Sequence, residues 1–171
     1  MDEARIDRFL KPGEHAVGDA RHRLRTLLGS CVSITLWQPE RRVGAMSHFL
    51  LPRRARATVA KPQALDARYG DEALALMLQG LARYGVAARQ CVARLFGGGD
   101  MFPQQARPPH AGRAGDVGRR NGEAARALLL ELGVAITSES LFGIGHRRIE
   151  FDIASGEVRS CQVSPGEVAI P

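Results

Sequence analysis

Two extended runs joined by one short turn constrain this chain more than any other feature. Val32, Ile34 and Leu36 alternate with Ser33, Thr35 and Trp37, the period of a half-buried strand. Val43-Gly44-Ala45-Met46-Ser47-His48-Phe49 is a second extended run. Gln38-Pro39-Glu40-Arg41 between them has the length and composition of a hairpin turn. Side chains alternate across a strand, so the pairing register decides what the hairpin buries. Pairing Trp37 with Arg42 sets Leu36 opposite Val43 and Ile34 opposite Ala45. One face then collects Val32, Ile34, Leu36, Val43, Ala45 and Phe49 as a core. The same register sets Cys31 directly opposite His48, with β-carbons about 4.5–5.5 Å apart. A slip of one residue would turn His48 to the core face and separate the pair.

A thiol beside an imidazole is the minimum equipment for a cysteine nucleophile, because histidine can take the thiol proton and hold the thiolate. Cys31 is therefore a candidate nucleophile with a lowered pKa, expected to alkylate faster than Cys91 or Cys161 near neutral pH. The competing reading makes Cys31 a small buried hydrophobe and His48 a hydrogen-bonded structural residue.

At 171 residues, 44% hydrophobic and 25% charged, the chain reads as one globular domain over 1–171. Charges interrupt the N-terminus from Asp2 to Arg8, and no apolar run approaches the length of a membrane span, so a soluble, cytoplasmic protein without membrane insertion is expected. Cys31, Cys91 and Cys161 are odd in number and far apart, which is no disulfide framework. No C-x-x-C or H-x-x-x-H pair suggests zinc, and no metal or cofactor is expected. The net charge of +6 comes almost wholly from arginine, which raises nucleic-acid binding. Aromatics are only 5% and no motif interleaves basic and stacking residues. The plainer reading is a solvated arginine-rich surface, with no nucleic-acid partner expected; the charge favours acidic partners such as an acidic protein surface.

Along the chain, residues 1–15 read as a polar lead-in and Leu24–Leu28 as a short strand. Arg53–Arg68 reads as a loop. Asp71–Ala82 is a helix with Asp71 as N-cap, Leu74, Met77, Leu78 and Leu81 inward, and Gly85 as its stop. Gln90–Phe96 is a strand. Gly97-Gly98-Gly99-Asp100-Met101-Phe102 follows it, where three glycines permit positive φ and close backbone approach. It is either a flexible turn or a loop that meets a ligand. Residues 103–117 hold three prolines and read as a mobile surface loop. Asn121–Leu132 is a second helix, Val134–Thr137 a short strand, and Arg148–Ile153 with Glu157–Val163 a hairpin around Ala154-Ser155-Gly156. Strands interrupted by two helices imply an α/β layered domain, with a mixed or mainly antiparallel β-sheet and flanking helices.

Four blocks also resemble those of one family. Leu28-Gly29-Ser30-Cys31-Val32-Ser33-Ile34, Gly44-Ala45-Met46-Ser47-His48-Phe49-Leu50-Leu51-Pro52, Leu95-Phe96-Gly97-Gly98-Gly99-Asp100-Met101-Phe102 and Gly118-Arg119-Arg120-Asn121 resemble the signature of CheD, the chemoreceptor glutamine deamidases. The resemblance spans about residues 13–163. It implies a cysteine-dependent amidohydrolase, a protein-glutamine glutaminase that converts glutamines of methyl-accepting chemotaxis receptors to glutamate through a thioester. It places the nucleophile on Cys31 and the general base on His48. Gly29 and Ser30 become candidates for the oxyanion turn, and Gly97, Gly98 and Phe102 for the substrate loop. The family carries a third active-site threonine before Gly-Ser-Cys. Its spacing of six falls here on Arg25, and Thr26 is the nearby threonine. Either Thr26 serves through a bend, or the role is filled otherwise. Phe142-Gly143-Ile144-Gly145-His146-Arg147 carries fewer glycines than the family's corresponding segment. The alternative function is a non-catalytic regulatory module that binds receptors or the CheC phosphatase.

Overall fold

The computed structural model describes residues 4–55, 63–103 and 117–163. The loop expected at 103–117 falls outside the described residues except at its two ends, as does the middle of the 53–68 loop. Nine strands and two α-helices are described: β1 (Ile6–Phe9), β2 (His15–Gly18), β3 (His22–Leu28), β4 (Val32–Gln38), β5 (Val43–Ser47), α1 (Gly70–Arg83), β6 (Val92–Gly97), α2 (Val117–Leu132), β7 (Ala135–Leu141), β8 (His146–Asp152) and β9 (Glu157–Val163). They form two mixed sheets. One has the order β2-β5-β4-β6-β7, the other β1-β3-β8-β9. The layered α/β expectation holds, with the strands divided between the two sheets.

Both helices cover one face of the five-stranded sheet. Val32, Ile34 and Leu36 of β4, Val43 and Ala45 of β5 and Ala93 and Leu95 of β6 share one core with Ala73, Leu74, Met77 and Leu81 of α1 and Ala125, Leu128 and Leu129 of α2. This is the face that the alternation of the first hairpin selects. The other face meets the four-stranded sheet, where Leu24, Leu28, Ile149, Phe151 and Ile153 pack with Met46 and Phe96. Trp37 ties the two sheets together, its Nε1 donating to the Ile153 carbonyl at 2.9 Å.

Four expectations need correction. The hairpin pairs Gln38 with Val43, Trp37 with Gly44 and Leu36 with Ala45, and the bridge from Val32 to Phe49 keeps that register. The ladder is thus shifted by two residues from the expected one. Gln38 joins the ladder while its side chain accepts the Arg41 N–H at 2.6 Å, and Arg42 at φ 49° closes the turn. A shift of two preserves the faces, so the core is as expected. The directly opposed partner of Cys31 becomes Leu50. Second, the polar lead-in contains β1, a parallel edge strand on β3, and the start of β2. All four β1 residues are exposed, which is why no alternation marks it. Third, α1 is capped at Tyr69 without a side-chain bond. Asp71 lies in its first turn, and its carboxylate accepts the Glu72 N–H. Fourth, β7 runs on to Leu141, parallel to β6.

Candidate active site

Cys31 precedes β4 at the end of a tight turn that carries the chain from one sheet to the other. β3 ends at Leu28 in the four-stranded sheet and β4 begins at Val32 in the five-stranded one, so Gly29-Ser30-Cys31 is the crossover. Each carbonyl of this turn is anchored. Gly29 O accepts the Gly99 N–H at 2.9 Å, Ser30 O accepts Asn121 Nδ2 at 3.0 Å, and Cys31 O accepts the Gly98 N–H at 2.9 Å. The glycine-rich loop can approach this closely only without side chains. A β-carbon on Gly97, at φ +106°, would stand 2.2 Å from the Cys31 carbonyl oxygen, and one on Gly98 would stand 2.6 Å from that of Gly118. Gly97 and Gly98 are therefore brought to the Cys31 turn as its backbone support. Phe102 lies beyond them, 60% exposed, and Met101 rests on Gly29.

His48 follows β5 and is 2% exposed. Its backbone is held by the turn before β2: His48 N–H donates to Glu14 O at 2.9 Å and His48 O accepts the Gly13 N–H at 2.8 Å. In the observed register Cys31 and His48 share the inter-sheet face as diagonal neighbours. Such pairs lie about 7–8 Å apart at Cα, less at the side chains, within reach of an imidazole.

Thr26 completes the arrangement from the opposite sheet. Within one straight strand, Thr26 and Cys31 would point to opposite faces. The crossover removes that restriction, because β3 and β4 lie in different sheets and present their inward faces to each other. Thr26 is fully buried. Its hydroxyl donates to the Leu10 carbonyl at 2.6 Å and stands 2.7 Å from His48 Nδ1. A threonine hydroxyl has one hydrogen. With that hydrogen on Leu10 O, the Thr26–His48 contact needs its proton on Nδ1. The neutral imidazole then has its lone pair on Nε2, free to act as a base.

Burial sets the charge state of the pair. It depresses the His48 pKa to about 4, against smaller upward pulls from the Leu10 carbonyl and the Glu14 charge. It also pushes the Cys31 thiol upward, with the Cys31 N–H pulling the other way. This corrects the expected lowered thiol pKa: the space between the sheets disfavours both charged forms, and the resting pair is neutral thiol and neutral imidazole.

Three further polar residues surround the site without having been singled out as site members. Ser33 lies directly opposite His48 in the observed register, and its buried hydroxyl has no partner among the described residues. Arg147 is 7% exposed, and its guanidinium donates to Gly97 O, Ser140 O and Phe142 O, bracing the glycine loop from β8. Its sequence signal is phase, because it falls on the inward positions of β8 with Ile149 and Phe151. Asn121, fully buried in α2, bonds both Ser30 O and Leu50 O. Its sequence signals are its place at the end of the Gly118-Arg119-Arg120-Asn121 block and a polar side chain on an otherwise apolar helix face. Among the described residues no group of three or more His, Cys, Asp or Glu is placed to hold a metal ion, and no helix is long and apolar enough to cross a membrane.

The arrangement can take a proton from a thiol and deliver it to a leaving group, the chemistry of acyl transfer to sulfur. The family described as CheD chemotactic sensory transduction matches residues 50–162, a span that begins just beyond His48. Curated relatives extend over the whole site. A probable chemoreceptor glutamine deamidase CheD 2 of Albidiferax ferrireducens is 59% identical over 161 residues, covering 94% of this chain and 89% of its own. Relatives named probable chemoreceptor glutamine deamidase CheD 3 of Dechloromonas aromatica and CheD 1 of Chromobacterium violaceum are each 43% identical over 150 residues. They cover 88% of this chain and 84% and 74% of their own.

Proposed function

The chain belongs to the CheD family, and from that premise we propose that it deamidates glutamine side chains of chemoreceptors, with Cys31 as nucleophile, His48 as base and Thr26 as the residue that orients His48. The observation that carries the reading is the Thr26–His48 contact at 2.7 Å beneath a half-buried Cys31. With the Thr26 hydrogen on the Leu10 carbonyl, it supports the imidazole tautomer that a thiol nucleophile needs.

The steps follow from that geometry. His48 Nε2 takes the Cys31 proton as Sγ attacks the carboxamide carbon, so no standing thiolate is required. A C–S bond forms and the carbonyl oxygen gains the negative charge. The Cys31 N–H acts on its own sulfur, and with the N–H groups of Gly29 and Ser30 it is a candidate donor to that oxyanion. Collapse breaks the C–N bond, and His48 returns its proton to the departing ammonia. Water, activated by His48, then adds to the thioester. The C–S bond breaks, leaving glutamate and the free thiol. The receptor substrate is a protein, and Phe102 and Ile144 offer exposed apolar side chains, with Ile144 bridged to Asp100 in the glycine-rich loop that holds the Cys31 turn. Arginine in excess on the chain suits an acidic partner surface.

The test is mass spectrometry of a chemoreceptor cytoplasmic fragment incubated with the wild-type protein and with Cys31→Ala. The expected result is a glutamine-to-glutamate mass shift with the first and none with the second. Conversion at equal rates would leave the chain a regulatory binding module.

A further inference from the structure

The turn that carries Cys31 is gripped at three successive carbonyls. Two of the donors, Gly98 N–H and Gly99 N–H, are backbone. The third is a side chain. Asn121 Nδ2 bonds Ser30 O at 3.0 Å and Leu50 O at 2.7 Å, so one amide group joins the residue before Cys31 to the residue opposite it. Helix packing does not call for an asparagine here. Its Oδ1 is buried without a partner among the described residues, an arrangement that costs about 1–3 kcal/mol and that leucine would avoid. Rule-breaking of this kind concentrates where function requires it.

A trans peptide explains what the bond achieves. Its C=O and N–H point in opposite directions. Asn121 sits on the helix side of the five-stranded sheet, and by drawing Ser30 O toward α2 it turns the Cys31 N–H away from α2, to the side where the thiol lies. The bond also polarises that peptide, which strengthens the N–H as a donor. Among the described residues the Asn121 amide hydrogen-bonds the backbone carbonyls of Ser30 and Leu50, and no hydrogen bond joins it to Sγ or to the imidazole.

We infer that Asn121 is a positioning residue for the oxyanion donor: its amide fixes the Ser30–Cys31 peptide so that the Cys31 N–H meets the oxygen of the tetrahedral intermediate. This rests on the nucleophilic role of Cys31. It extends that role by separating the group that attacks from the group that aims the charge-stabilising dipole.

Asn121→Leu keeps the side chain's size and removes only the amide; Asn121→Ala is the companion variant. Each is compared with wild type for receptor-fragment deamidation, for alkylation of Cys31 followed on its own peptide across pH, and for thermal unfolding. In a folded variant kcat is expected to fall by about 10²–10³-fold, the usual effect of losing one oxyanion donor. KM and the pH profile of Cys31 alkylation should stay as in wild type. Unchanged kcat in Asn121→Leu overturns the inference. So does a kcat loss matched by an equal loss of alkylation, since that marks a general loosening of the turn. Should Asn121→Ala not fold, Asn121→Leu decides alone. Cys31→Ala, run alongside, separates the two claims. If it remains active, the nucleophile assignment fails. If it is inactive while Asn121→Leu is fully active, only the positioning role fails.

Discussion

The two faces of β4 are almost equally buried and chemically opposite. Toward the helices, Val32, Ile34 and Leu36 are fully buried among aliphatic side chains. Toward the second sheet, Cys31, Ser33 and Thr35 look out beside His48, and Thr26 looks back at them. Helices can fill one side of a strand with uniform apolar contact. A facing sheet instead brings side chains from a distant part of the chain into fixed register, and that is how a threonine before the crossover reaches a histidine after it. The helix face is thus uniformly apolar, while the sheet face combines the second apolar core with the polar groups of the proposed chemistry, held in a low dielectric.

The widest separation between the faces should come from His48→Gln. Loss of a general base lowers kcat by about 10³-fold, while unfolding near pH 7 shifts little. Its counterpart is Ile34→Ala on the helix face, expected to cost about 2–5 kcal/mol of stability and to leave kcat per folded molecule intact. Denaturant unfolding and receptor deamidation, measured on both variants, would break the division if the two effects were exchanged.

A pH series sharpens the comparison. His48 titrates near 6.5 in the unfolded chain and near 4 when folded. Above 6.5 both states hold it neutral, and it contributes nothing to the pH dependence. Below 6.5 the unfolded chain takes up a proton that the folded chain refuses, so stability is lost as pH falls toward 4, by about 3 kcal/mol. In His48→Gln that part of the slope should vanish, whereas Ile34→Ala should keep it. The same depressed pKa keeps the base unprotonated, so kcat/KM should hold on the acid side until close to pH 4.

Thr26→Val tests the link between the sheets. It keeps the shape, strands the Leu10 carbonyl and frees Nδ1. A lost buried hydrogen bond of about 1–3 kcal/mol should appear as roughly a 10–100-fold fall in kcat. A loss confined to unfolding would make Thr26 structural.

What the sequence disclosed follows from the same contrast. Alternation in 32–37 and 43–49 identified both faces of β4, because parity survives a register shift of two. It could not fix the register itself, since both registers bury the same apolar set. The turn at Pro39–Arg42, with its positive φ at Arg42 and the Gln38 side chain closing it, decides between them. Thr26 was nameable from the family resemblance, but its direction was not. The fact that β3 and β4 lie in different sheets is a long-range outcome that no local pattern records. The roles of Arg147 and Asn121 were hidden for a similar reason, because both reach backbone carbonyls far away in sequence, Gly97 for Arg147 and Ser30 and Leu50 for Asn121.

The smallest expected effect is the most discriminating for the inter-sheet face. Thr26 and Ser33 are both buried hydroxyls beside His48, yet Thr26 has two partners and Ser33 Oγ has none among the described residues. A buried hydroxyl without a partner is a net desolvation cost, so Ser33→Ala should raise stability by about 1 kcal/mol where Thr26→Val lowers it. If both substitutions destabilise equally, satisfaction of hydrogen bonds is not what separates the two positions. If Ser33→Ala raises the melting temperature and lowers kcat, the hydroxyl costs the fold stability because the reaction uses it. The face that carries chemistry would then extend one residue beyond Cys31, His48 and Thr26.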